Sequence, residues 1–215
     1  MLTVEMHRNF LLKVKTLDRT DLVDIQSYDV LFLLNQAQNI IIDKLIAERR
    51  MTDLRPLILS QTVLAAGFIA TGTYDPGITG AKVVDLSALT TFRTFLESHS
   101  KITRSAVPAA TDVYMINKPI AKEDIFRWET NGTNKPIFTN PKELVDGKYL
   151  IVIPDAYTTT VTSITSIYVK TPTTLVITTP ASDTSDLPAH LHNEIVDIAV
   201  QLSQETVNVN DIKKR

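Results

Sequence analysis

Apolar positions near the start of the chain fall at Met6, Phe10, Val14 and Leu17, a helical rhythm that predicts one buried stripe on a first helix. Asp18-Arg19-Thr20 interrupts the pattern. A stronger helical signal follows. Ser27 is the expected N-cap, Asp29 suits the positive end of the helix dipole, and Val30, Leu34, Ala37, Ile41 and Leu45 mark one face. Leu33, Ile40, Ile42 and Ile46 widen that face, and Arg49-Arg50 falls in the expected last turn, where cations are favoured. A stripe this broad exceeds what a helix covered on one side needs, so the helix should pack on its own core and also touch something else.

Residues 57–70 read either way: Pro56 can open a short helix, and Ala65-Ala66-Gly67-Phe68-Ile69 can already be strand. Gly72, Pro76-Gly77 and Gly80 then break the chain into turns. Short β-type runs are expected at 81–86, 90–96, 113–116, 125–129, 136–139, 149–153, 164–170 and 175–178, with hairpin signals at Asn131-Gly132 and Asp146-Gly147. The threonine-rich stretch 158–179 is a linker or strand, and Ile164, Ile167, Tyr168 and Val169 favour strand, as a long exposed hairpin. Ser185-Asp186-Leu187-Pro188 opens a last helix with Leu191, Ile195, Ile198 and Leu202 on one face. Asn208 onward is polar and is expected to be a mobile tail. The predicted class is α+β. Helices of 1–70 and 185–207 form a helical docking unit, 71–184 is an inserted antiparallel β sandwich or barrel-like module, and 208–215 is the tail.

A chain of 215 residues with 44% hydrophobic content can bury one full core, or one core with an elaborated insertion. The formal charge of −2 argues against a surface that grips nucleic acid. With no cysteine, disulfides, thiolate catalysis and cysteine zinc sites are excluded. The start lacks a signal-peptide pattern and the uninterrupted apolar runs are short, so a soluble, unexported protein without a membrane anchor is expected.

Candidate chemistry is sparse. His190, His192 and Glu194 look like metal ligands, but histidines two apart on a helix point to opposite sides. His190 and Glu194, four apart, are better placed to pair with each other on a solvated helix start. Neither a nucleophile elbow nor a phosphate-cradling loop is present, and Lys122-Glu123-Asp124 and Lys142-Glu143-Leu144-Val145-Asp146 read as solvated loop charges. Asn131-Gly132-Thr133 fits a glycosylation pattern but reads better as a turn. Trp128, Phe126 and Tyr149 can form a sugar-stacking platform or ordinary core. Arg49-Arg50 and Lys213-Lys214-Arg215 are basic clusters expected to serve as solubilising ends. We therefore expect no catalytic residues, no cofactor and no metal, and a chain that is not an enzyme.

The layout as a whole carries a resemblance. An early helix leads into Ser27-Tyr28-Asp29-Val30-Leu31-Phe32-Leu33-Leu34-Asn35-Gln36-Ala37-Gln38; Ile167-Tyr168-Val169-Lys170-Thr171-Pro172 sits inside the β insertion; and Leu187-Pro188-Ala189-His190-Leu191-His192-Asn193-Glu194-Ile195-Val196-Asp197-Ile198-Ala199-Val200 opens the last helix. Over residues 1–207 this resembles the head-to-tail adaptor, or connector ring, proteins of short-tailed phages, especially crAss-like phages, and is similar in layout to the tubular tail adaptor of T7-like phages. The resemblance implies a virion protein assembled in the bacterial host cytoplasm. It implies a homo-oligomeric, typically dodecameric ring stacked on a portal protein and contacting neighbouring ring or tail proteins; the threonine-rich stretch departs from that pattern and is the expected place for an extra contact such as a tail fibre. Double-stranded DNA would pass non-specifically through its lumen. Tyr28, Leu31, Asn35, Gln38, Ile42, Arg49, Ile167, Tyr168, Lys170, Leu191 and Ile195 are the interface candidates on this reading. Two alternatives remain open: a receptor- or glycan-binding decoration module built around Trp128, and a hydrolase using His190 or His192.

Overall fold

The computed structural model describes residues 1–16, 26–70, 73, 77–78, 80–103, 112–125, 136–137, 139–155, 160–177 and 184–213, with side chains as far as 205. The chain forms two compact units, Met1–Leu57 with Thr171–Arg215, and Ile58–Lys170. The inserted module thus begins and ends earlier than the 71–184 expected from composition. The ambiguous stretch after Pro56 resolves into a short 3-10 turn, Arg55–Leu57, followed at once by strand. At the other end, residues 171–177 already belong to the helical unit.

In the helical unit, α1 is Thr3–Thr16, α2 is Ser27–Ala47, α3 is the single turn Met51–Leu54, and the closing helix, α5, runs His192–Lys213. Met6, Phe10 and Val14 of α1 are buried, as are Val30, Leu34, Ala37, Ile41 and Leu45 of α2 and Ile195, Val196, Ala199 and Val200 of α5. The spacing of apolar positions places these residues on inward faces, and their burial is the main force holding three helices together. Helix α2 is long and apolar enough to cross a membrane by length and composition, yet seven of its residues are buried, which is what a core helix requires.

Three helix ends differ from expectation. Gln26, not Ser27, holds the N-cap position of α2, with no side-chain cap bond. Arg49 and Arg50 lie beyond the helix: Arg49 adopts a left-handed φ of 56°, and its N–H donates to Ile46 O while that of Arg50 donates to Leu45 O. The reversal satisfies the last carbonyls in the manner of a C-terminal helix motif, at a site where glycine is the usual residue. The expected tail from Asn208 is instead helical as far as Lys213.

The second unit is a sandwich of two four-stranded sheets. Its strands are β1 (Ile58–Leu64), β2 (Lys82–Asp85), β3 (Phe92–Thr103), β4 (Asp112–Ile116), β5 (Lys118–Pro119), β6 (Lys142–Asp146), β7 (Tyr149–Ile153) and β8 (Thr160–Lys170). One sheet has the order β1-β8-β3-β4 and is antiparallel throughout; the other has the order β2-β7-β6-β5, in which β5–β6 is the one parallel pair. Residues 160–170 of the threonine-rich stretch are therefore an interior strand, β8, paired on both sides, while 158–159 and 178–179 lie outside the described residues. Between the sheets lie Val84, Leu86, Leu89, Ile102, Leu150, Val152, Val161, Ile164 and Tyr168. Tyr149-Leu150-Ile151-Val152-Ile153 is apolar without alternation because β7 is covered on both faces: Ile151 and Ile153 pack under Ile69, Ile78, Ile120 and Ile125. Gly147, at φ 60°, makes the tight β6–β7 turn expected from Asp146-Gly147.

Other expected strands differ. Residues 122–125 are one helical turn, α4, while 126–129 of the strand expected at 125–129 lie outside the described residues, and 137 and 140 make a lone bridge. Residues 175–177 are extended but outside any sheet. Residues 142–146, read as solvated loop charges, are strand β6, with Lys142 and Glu143 buried.

Two substitutions test the helical unit by chemical denaturation. Ile42→Ala, at a fully buried site, should lower stability by about 2–5 kcal/mol. Arg49→Gly should raise it by roughly 1 kcal/mol by relieving the left-handed backbone. An Arg49→Gly protein no more stable than the parent would refute the strain at that position.

Candidate assembly interface

The interface candidates divide into residues turned outward and residues committed within the chain. Tyr28 is 76% exposed, and Phe32, one turn further along α2, is 59% exposed. Ile40 is exposed on the same helix. These three, with the exposed Gln36 between them, fall at intervals of four or eight residues and so form one row along the helix surface. Leu31 is half-buried beside it. The helix thus has a covered apolar face and an exposed row, and of the residues expected to widen its stripe only Ile40 is on the exposed side, with Ile42 buried and Leu33 and Ile46 half-buried. Phe32 and Ile40 belong with Tyr28 by this spacing, whereas the expected interface residues Asn35, Gln38 and Ile42 of the same helix are engaged within the chain.

Asn35 and Gln38 have a different task. The Asn35 amide donates from Nδ2 to Leu175 O (3.1 Å) and accepts the Leu175 N–H at Oδ1 (2.7 Å). Gln38 Nε2 donates to Thr173 O at 3.1 Å, and its Oε1 accepts from Ser185 Oγ at 2.5 Å. Asp186 Oδ2 accepts the Thr173 N–H at 2.8 Å, and Ser185 Oγ accepts that of Leu187 at 3.1 Å. Two side chains of a helix thereby give an extended segment the hydrogen bonds that a neighbouring strand would supply. Ile42, Leu191 and Ile195 are buried in the helical unit and cannot also face a partner while it is folded. Tyr168 is buried between the sheets, its hydroxyl donating to Thr90 O at 2.8 Å. Of the remaining candidates, Arg49 is exposed at the end of α2, whereas Ile167 and Lys170 are half-buried on β8.

The histidine group separates. His190 Nε2 lies 3.3 Å from Asp53 Oδ1, and Lys44 Nζ lies 2.8 Å from Glu194 Oε1. His192 is buried, with Nε2 bonded to Leu187 O at 2.8 Å, and burial holds its imidazole below the usual histidine range. The expected His190–Glu194 pair does not form, because each side chain finds a partner on another helix. Among the described residues, no three potential metal ligands converge. Trp128, Phe126 and the Asn131-Gly132-Thr133 turn lie outside the described residues. Tyr149 is half-buried, with Lys148 Nζ 5.2 Å from its ring centroid.

A buried polar cluster occupies the sandwich. Ser98 Oγ donates to Glu143 Oε2 at 2.5 Å, Asn117 Nδ2 donates to Ser98 Oγ at 2.6 Å, and Ser100 Oγ donates to Asn117 Oδ1 at 2.8 Å. Ser98, Ser100, Asn117 and Glu143 are all nearly inaccessible to solvent. The Glu143 carboxyl is pushed up to about 7, chiefly by burial, against the opposing pull of the Ser98 hydroxyl and N–H.

Asn35→Ala should strand both polar groups of Leu175 and cost about 2–3 kcal/mol. Hydrogen exchange of the Leu175 amide should accelerate by the corresponding factor; an unchanged rate would show that the clip is dispensable. No family model matches the chain, and no curated protein sequence matches it.

Proposed function

We propose that this chain is a structural subunit of a phage head-to-tail connector ring, joining the portal to the tail and letting genomic DNA pass through the lumen. The observation that carries the reading is the uncovered row of Tyr28, Phe32 and Ile40 on a helix whose other face is already buried. Monomeric soluble proteins seldom leave large aromatic side chains aligned on a helix, whereas subunits with permanent neighbours do. The arrangement of the chain supports the same reading, with a helical unit assembled from both chain ends and a separate β sandwich inserted into it. The near-neutral net charge of −2 suits a lumen through which DNA must slide, since strong phosphate pairing would hold it. On this reading the row on α2 meets the neighbouring subunit or the portal.

Electron microscopy of the protein mixed with the portal of the same phage should show a closed ring seated on the portal. Phe32→Asp should abolish that ring while leaving the melting temperature within a few degrees of the parent, because the side chain lies outside the core. Persistent monomers in the presence of portal would overturn the proposal. A ring unaffected by Phe32→Asp would move the interface away from α2.

A further inference from the structure

Strand β4 leaves its sheet at Asn117 and continues as β5 in the opposite sheet. At this crossing the Asn117 N–H donates to Ser98 O at 3.0 Å, the last main-chain bond between β3 and the departing strand. The N–H and C=O of one residue point to the same side of an antiparallel strand, so the Ser98 N–H faces the place β4 has vacated. The Glu143 carboxyl fills it, accepting from both the N–H and the hydroxyl of Ser98. The main chain of 141–143 holds the other side of the crossing: Ile120 N–H donates to Glu143 O at 2.9 Å, and Lys118 N–H donates to Pro141 O at 2.8 Å. Glu143 therefore ties β3 of one sheet to the incoming β5 of the other.

We infer that Glu143 is a pH-dependent latch on this crossing, closed when its carboxyl is neutral and released when it ionises. Two features of the site support a neutral closed form. The carboxyl is 3% exposed, so an ion there forfeits nearly all its hydration. The negative charge of Glu97, on the same strand as Ser98, opposes a second one. The other charged groups on the packed strands are Lys82 of β2, Arg93 of β3, Lys118 of β5, Lys142 of β6 and Lys170 of β8, with Asp85 of β2 paired to Lys148 at 3.2 Å, Asp146 of β6 to Lys122 at 2.9 Å, and Lys101 to Asp112 at 2.7 Å further along β3 and β4. His99 faces Glu97 at 3.6 Å.

The direction follows from the shift. The closed carboxyl titrates at about 7 against an ordinary value of 4.5, so between those values the closed form keeps a proton that the open form loses. Opening therefore becomes easier as pH rises through this window and levels off above it, a gain of about tenfold between pH 6 and pH 8. Hydrogen exchange of the Ser98, Lys118 and Ile120 amides, corrected for the intrinsic effect of pH, measures it. The opening constants should rise about tenfold in the parent protein and stay flat in Glu143→Gln, while amides of the β1–β8 ladder remain unchanged in both. The same pH slope in parent and variant would overturn the inference. If Glu143→Gln does not fold, carbon NMR of the Glu143 carboxyl in the parent chain decides the matter: titration near 7 supports the latch, and titration near 4.5 ends it.

Discussion

The side-chain amides of Asn35 and Gln38 hold the point at which the chain, having left the helical unit at Leu57, returns to it at Thr171. An extended segment lying on a helix has no ladder to join, and its buried peptide groups would otherwise be unpaired. Asn35 answers with a donor and an acceptor on one residue, as a strand would. That allows Pro172 and Leu175 to be buried beside α2 and the chain to continue through Ser185 into the turn before α5. The apolar stripes of α1, α2 and α5 supply most of the favourable free energy, but they can meet only if the returning chain is set down in register. The polar residues of α2, which a hydrophobicity pattern treats as filler, therefore decide whether its apolar residues find their partners.

The helices were legible in the sequence because period and burial agree. Met6, Phe10 and Val14, and the five-residue stripe of α2, all proved buried. Their ends were less legible, since Arg49 reverses the chain in a conformation that nothing in its side chain advertises. The α+β class and two-layer β module also emerged from short apolar runs and turn residues. Strand β6 escaped detection because Lys142-Glu143 at its start are polar, and composition cannot tell a buried, hydrogen-bonded glutamate from a solvated one. The threonine-rich stretch reads as a linker or as strand in a long exposed hairpin; inside the sheet, Thr162 of β8 reaches Lys101 O and Thr165 reaches Thr62.

Of the expected interface residues, Gln38, Ile42, Tyr168, Leu191 and Ile195 are committed within the chain. A broad stripe announced that α2 has more than one apolar side. Which residues occupy the second side depends on how α1, α5 and the returning segment divide the first, a tertiary fact with no local signature. The same limit explains the histidines: His190 and Glu194 are well spaced for each other, yet Asp53 and Lys44 reach them first.

The sandwich enters and leaves the chain through neighbouring strands, for Ile58 at the start of β1 lies across the ladder from Val169 at the end of β8. Cross-strand partners sit about 5 Å apart, so the break in the helical unit spans little more than one peptide step. A gap that small can be closed by a short turn, or can accept any domain whose own ends meet. The helical unit is in effect a frame with one standard socket, and the β module is a cartridge.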